Sequence, residues 1–279
     1  MLRNRTSRRR LCRSVLLLLI PFVVPSAIYA EQVLRLGGSG TDLASMRLLA
    51  DAFARHHPNL TIRMPPSLGS GGGIKALLAG KLDLAITSRA LKQKEQHPGL
   101  TAHLYARTPL VFVVAKTSPV DAVTTEMLQG FYSGQHPYWP DNSVARPILR
   151  PPSDSDTLMI KKHRRELINA LDAAYKRRGI PVAITDQDSA DRIQQIPGAF
   201  GTSTLALILA EKRNLKALKL DNVTPSALNV HNGRYSLIKD LYIVIASHSS
   251  PAAHQFLSFL DSREAIDILL NTGHMLPED

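Results

Sequence analysis

The spacing of apolar residues switches repeatedly between a period near two and a period near 3.6, and this alternation predicts the elements. Residues 32–38 (QVLRLGG) read as a short strand. Residues 41–58 then set Leu43, Met46, Leu49, Ala50 and Phe53 at helical spacing and stop at Pro58, which places His56 and His57 at a helix end. LTIRM (60–64) is a strand, GIKALLAG (73–80) a short helix closed by Gly80, and LDLAIT (82–87) a strand again. The order β-α-β-α-β is that of a mostly parallel sheet.

A second series follows. PLVFVVA (109–115) is a strongly apolar strand, residues 124–134 a helix capped by Thr124, ARPILR (145–150) a strand, and residues 156–179 one long helix. PVAIT, GAFGTS, TLALILAEKR and LKALKL continue the alternation to residue 220. DLYIVIAS (240–247) is a strand, with helical patterns at 251–262 and 263–273. No internal repeat and no disordered linker separates the two series. The pattern therefore predicts two α/β lobes between which the chain passes as strands.

The N-terminus has a different character. Six arginines from Arg3 to Arg13 precede the apolar run SVLLLLIPFVV, and the small residues of PSAIYA follow. This is the order of a secretory signal peptide, with cleavage expected after Ala30. The alternative is a retained membrane anchor, for which the run is short and interrupted by Pro21. SRRRLCR loosely resembles a twin-arginine signal, but the strongly apolar core fits ordinary export better. The expectation is a soluble product outside the cytoplasm, in the periplasm.

Setting residues 1–30 aside changes the reading of charge. They carry six of the 34 Lys and Arg and none of the 23 acids, so the formal charge falls from +11 to +5. That is mildly basic and is no nucleic-acid footprint. The densest basic run, KKHRRE (161–166), reads as a solvated helix face. The chain's one cysteine, Cys12, also lies in this segment, which excludes disulfides, thiolate metal sites and cysteine nucleophiles from the remainder. The histidines form no metal-binding spacing, and neither metal nor cofactor is expected.

Three stretches share one chemistry. GGSGTD (37–42), GSGGG (69–73) and RPPSDSDT (150–157) each end a strand and open a helix. Hydroxyls and free backbone N–H groups at a helix N-terminus suit an anion, and glycine lets the backbone come close. The competing reading of each is a simple helix cap. The Walker loop, the dinucleotide fingerprint and the hydrolase elbow are all absent.

LGGSGTDLASMRLLADAF, GSGGGIKALLAGKLDLAITSR and RPPSDSDT, together with residues 197–226 and 232–245, resemble the phosphate-binding proteins of bacterial phosphate ABC transporters in order and spacing. The resemblance spans nearly all of residues 33–276. It implies a type II periplasmic binding protein, with two α/β lobes joined by a two-strand hinge around a ligand cleft. Lobe 1 would be residues 31–110, completed by 243–279, and lobe 2 residues 111–242. It implies inorganic phosphate or a similar oxyanion as ligand, an inner-membrane ABC permease as partner, a monomer and no catalysis. Rival readings are a binder of tungstate, molybdate or another small anion, a ligand-sensing module, and an enzyme on the same scaffold. Porphobilinogen-cofactor deaminases, which have such a scaffold, need a cysteine that the exported part lacks.

Carried over position by position, the resemblance makes Ser39, Thr41, Asp42, Ser70 and Gly71 ligand contacts from lobe 1, and Arg150, Ser155, Asp156 and Thr157 contacts from lobe 2. Two positions depart from the family. Ser88 stands where an aspartate often accepts the proton of hydrogen phosphate, and Asp156 stands where the family has glycine. Either Asp154 or Asp156 replaces the proton acceptor, or both cap their helix and fill the anion site. Asp42 is a third candidate acceptor if its side chain turns inward. Arg89 points into the cleft or makes a rim salt bridge, and Trp139 reads as a lobe-surface packing residue.

Overall fold

A computed structural model describes Met1 and residues 32–277. The expected signal peptide, Met1 aside, lies outside the described residues. The chain from Glu31 onward clusters as one unit.

Elements follow in the order β1 (Gln32–Gly38), α1 (Leu43–His56), β2 (Leu60–Arg63), α2 (Gly69–Leu78), β3 (Leu84–Thr87) and β4 (Leu100–Ala115). Next come β5 (Ala122–Val123), α3 (Thr125–Ser133), β6 (Arg146–Pro147), α4 (Ser155–His163), α5 (Ile168–Lys176) and α6 (Asp186–Gln195). The chain continues through β7 (Ala199–Thr204), α7 (Leu205–Ala210), β8 (Leu215–Ala217), β9 (Lys219–Leu220) and α8 (Ala227–His231). It closes with β10 (Ile238–Ala246), α9 (Pro251–Phe259) and α10 (Arg263–Asn271).

Side-chain caps fix where most of these helices begin. Thr124, Thr185, Thr204, Ser226, Ser250 and Ser262 each accept a hydrogen bond from a backbone N–H in the first turn of α3, α6, α7, α8, α9 and α10 respectively. The expected single helix over 156–179 is broken instead. Arg164 is extended (φ −133°, ψ 68°), and a short turn at Arg165–Leu167 buries Leu167 completely before α5 starts. The polar run KKHRR supplies no apolar stripe to hold a continuous helix through this point.

The strands run β2-β1-β3-β10-β4-β7-β6, with β8 also against β4. β1 pairs in parallel with β2 and β3, whereas β10 is antiparallel to both β3 and β4. The sixteen residues of β4 do two jobs. Its first part pairs with β10 from Leu100 to Pro109, and its last part pairs with β7 and β8 from Leu110 to Ala115.

Buried apolar residues divide in the same way. One cluster gathers Leu34, Leu36, Met46, Phe53, Ile86, Ile243 and Phe256 with their neighbours, and its members fall within residues 34–106 and 241–269. A second, around Phe112, Phe131, Trp139, Ile193 and Phe200, falls within residues 110–237, and a small third holds Leu77, Ala85 and Val244. Among the described strands, only β4 and the start of β10 carry the sheet from the first cluster to the second. Trp139 belongs to the second core rather than to its surface. It is 2 % exposed, packs edge-on to Phe131 at 4.7 Å, and its Nε1 donates to Gly198 O at 3.1 Å.

Candidate functional site

The glycine-serine stretch before the second helix is not a loop. Gly69 to Gly73 form the first turn of α2, which begins four residues earlier than its apolar spacing predicts. Gly73 shows why glycine is needed there, because a Cβ at that position would sit 2.8 Å from Gly38 Cα. The helix thus lies directly against the end of β1. Its N-cap residue, Leu68, supplies no side-chain cap, and the Gly69 N–H donates to Ser67 Oγ at 3.4 Å. A Cβ on Gly71 would meet nothing nearer than 3.9 Å, so this end of the helix is open.

It opens on a cavity of about 630 Å³ whose walls include Ser39, Ser70, Gly71, Arg150 and Ser155. A hydroxyl cluster lies beside it. Ser88 Oγ stands 3.1 Å from Ser39 Oγ, 3.3 Å from Ser70 Oγ and 3.1 Å from Ser155 Oγ. The Ser88 N–H also donates to Ser70 Oγ at 3.1 Å, which fixes that side chain. The Ser88–Ser155 contact joins the end of β3 to the start of α4. A second cavity of similar volume, lined by Ser88 and Ser155 among others, continues beyond it.

Arg150 is the cationic centre of the first cavity. Its side chain is 4 % exposed. It donates to Ala183 O at 3.1 Å and to Asp154 Oδ2 at 3.0 Å, and lies 3.5 Å from Asp186 Oδ2. Burial would lower its pKa, but Asp186, Asp156 and Asp154 outweigh that and raise it. Its Nε is buried with no hydrogen-bond partner among the described residues. An unmet donor on a buried cation is costly, and a ligand oxygen would satisfy it.

The start of α4 is arranged differently. Asp154 is its N-cap and accepts from Asp156 N at 2.9 Å. Asp156 accepts from Thr202 Oγ1 at 2.8 Å and forms a wholly buried ion pair with Lys239, which projects from β10 where the two cores meet. Lys239 Nζ also donates to Thr41 Oγ1 at 3.1 Å, and Thr41 Oγ1 donates to Asp186 Oδ1 at 3.2 Å. Burial pushes the Asp156 pKa upward, yet Lys239 and Arg150 hold it below the usual carboxylate range. Burial likewise works against the Lys239 ammonium, and Asp156, Asp186 and Asp154 raise its pKa despite that. Burial and neighbouring Asp156 raise the pKa of Asp154.

Four of the expected contacts therefore sit off both of these cavities. Thr41 and Asp156 are engaged with Lys239. Asp42 is turned into the first core, where Tyr105 OH donates to it and His274 Nε2 lies 2.7 Å from its Oδ1. Thr157 Oγ1 donates to Arg150 O at 3.4 Å. Arg89 makes a bidentate pair with Glu95 at 2.6 and 2.8 Å while still lining the cavity. The sequence reading missed Lys239 and Asp186. Among the described residues no group of three or more His, Cys, Asp or Glu could hold a metal ion, and no helix is long and apolar enough to cross a membrane.

Comparison with known proteins places this architecture. The chain is 25 % identical over 261 residues to protein SphX of Synechococcus elongatus, covering 85 % of this chain and 76 % of that one. It is 23 % identical over 245 residues to the phosphate-binding protein PstS of Bacillus subtilis, covering 84 % and 77 %. A crystal structure of a putative phosphate ABC transporter substrate-binding protein from Clostridium perfringens, with bound phosphate, superposes with a TM-score of 0.76 at 19 % identity, over 88 % of this chain and all of that one. The family model described as PBP superfamily domain matches residues 25–264. By that match, over most of its length, the chain belongs to the PBP superfamily, the periplasmic binding proteins.

Proposed function

We propose that the protein binds phosphate or a similar tetrahedral oxyanion in the cavity at the start of α2. The observation that carries this reading is Arg150: a buried guanidinium with an unmet Nε, lining the same cavity as Ser70 and the open helix N-terminus. Backbone N–H groups at that end, the helix dipole and the arginine all favour negative charge there. The names of the two relatives and of the phosphate-bound structure support the same ligand class.

In this reading the two cores are the interiors of two lobes, residues 31–110 with 243–279 and residues 111–242. β4 and β10 form the hinge, and closure brings Arg150 toward Ser70. The chain is exported by its first 30 residues, works as a monomer in the periplasm and hands its ligand to an inner-membrane ABC permease without catalysing a reaction. Asp154 is the carboxylate placed to accept the proton of hydrogen phosphate. It lines the cavity, whereas Asp42 and Asp156 are spent elsewhere.

Calorimetric titration of the purified protein with phosphate, sulfate, molybdate and tungstate tests the reading. The expected result is saturable binding of phosphate with sulfate much weaker, because a carboxylate facing fully ionised sulfate is an unpaired like charge. Binding of none of the four anions would overturn it.

A further inference from the structure

The cavity at the start of α2 has two walls of opposite charge. Lys75, Lys92 and Lys94 stand on one side, with Arg89 already paired to Glu95. Asp154 and Asp186 stand on the other, flanking Arg150. Behind them Lys239 neutralises Asp156. Beside the Asp156–Lys239 pair, Asp154 and Asp186 are thus two carboxylates that share one guanidinium, that of Arg150.

Two buried atoms on this side lack partners among the described residues, and they are of opposite kinds. Arg150 Nε is a donor without an acceptor, and Gln187 Oε1, next in sequence to Asp186 but off the cavity lining, is an acceptor without a donor. The amide orientation is set by its nitrogen, which donates to Gly40 O at 2.9 Å and to Glu211 Oε1 at 2.8 Å. A Cβ on Gly40 would begin 2.6 Å from Gln187 Oε1 and 2.7 Å from Asp186 Oδ2, so these two acceptors share one small region. The cavity volume, about 630 Å³, exceeds what a tetrahedral ion fills and lies within the range of roughly 300–1,000 Å³ typical of sites for organic ligands.

We infer that the preferred ligand is a zwitterion, an oxyanion whose organic body carries an ammonium group. By chemical class it is a short aminoalkyl phosphonate or an amino-bearing phosphate ester. The oxyanion meets Ser70, the N–H groups of α2 and Arg150, and the ammonium donates to Asp154, in place of the proton of hydrogen phosphate, and to Asp186. This rests on the oxyanion reading above and adds the second charge.

The test is calorimetry with three probes: inorganic phosphate, ethylphosphonate and 2-aminoethylphosphonate. The last two share one oxyanion and differ in the ammonium. The aminoethyl compound is expected to bind at least about tenfold more tightly than ethylphosphonate, the scale of one charge-assisted contact. Asp186→Asn should close that gap, weakening the aminoethyl compound and strengthening ethylphosphonate. Asp154→Asn, which keeps the helix cap, should act in the same direction and serves if the first variant fails to fold. Equal affinity for the two phosphonates, with phosphate still bound, overturns the zwitterion inference and leaves the oxyanion reading intact. Binding of none of the three overturns the zwitterion inference and, where sulfate, molybdate and tungstate also fail to bind, the oxyanion reading with it.

Discussion

The starts of α2 and α4 line one cavity and have spent their donors in opposite ways. Both follow a strand or loop rich in Gly, Ser and Pro, and both read as anion sites. At α2 the N-cap residue Leu68 supplies no cap, Ser67 Oγ takes only the Gly69 N–H, and the first residues are glycine and serine, so the helix end opens on a cavity. At α4 the chain supplies its own carboxylates: Asp154 takes the cap, and Asp156 takes Lys239 and Thr202. The composition of a loop therefore shows that a helix end can bind an anion. Whether it is vacant depends on where nearby carboxylates go.

Removing the cation behind α4 should have the largest effect. Lys239→Met leaves Asp156 buried and unpaired, which should cost about 3–5 kcal/mol of folding stability in chemical denaturation. Replacing both partners with apolar residues, Lys239→Met with Asp156→Leu, should recover most of that loss. The sign of the pH dependence follows from the pair. Asp156 is depressed in the folded state, so its contribution holds above the ordinary carboxylate pKa and is lost as pH falls through the folded value. Lys239 is raised, so its contribution holds below the ordinary lysine pKa and is lost as pH rises through the folded value. The cost of Lys239→Met should accordingly shrink in acid, where the stranded Asp156 takes up a proton. A single variant that loses nothing would mean that the pair does not hold α4 in place.

Making α2 resemble α4 is the next test. Ser70→Asp puts a carboxylate at the open helix end and should weaken oxyanion binding by roughly a hundredfold or more, through charge repulsion and a lost donor. The cost in stability should be near 1 kcal/mol, since Ser70 Oγ also accepts the Ser88 N–H. A large fall in melting temperature with binding intact would make Ser70 a structural cap. Arginine substitutions give a smaller contrast. Arg150→Ala should weaken binding by about ten- to a hundredfold, and Arg89→Ala by only a fewfold because Arg89 is tied to Glu95 at the rim. Equal effects would assign the ligand to the wrong arginine.

Much of the fold was legible in the sequence because periodicity carries it. α1 and β1 need only their own apolar spacing. The first half of β4 was missed because polar Thr101, His103 and Arg107 dilute its alternation, and its pairing with β10 decides it instead. α6 was missed because DQDSADRIQQ offers only Ala190 and Ile193 as buried apolar residues. At the site, Ser70 and Arg150 were legible from motif order. Lys239 was not. A lysine in a strand reads as solvent-facing, and its burial depends on Asp156, 83 residues away in sequence. Gly73 was read as the residue that opens the helix and lets an anion come close, while its role is to let that helix touch β1.

A crystal structure of the protein soaked in inorganic phosphate tests the central claim most directly, because it asks which helix end holds the anion. Tetrahedral density is expected in the cavity, in hydrogen-bond contact with Ser70 and Arg150, and with the Asp156–Lys239 pair unbroken. Phosphate seated on Lys239 with Asp156 displaced would contradict it, as would a cavity that stays empty of phosphate at saturating concentration.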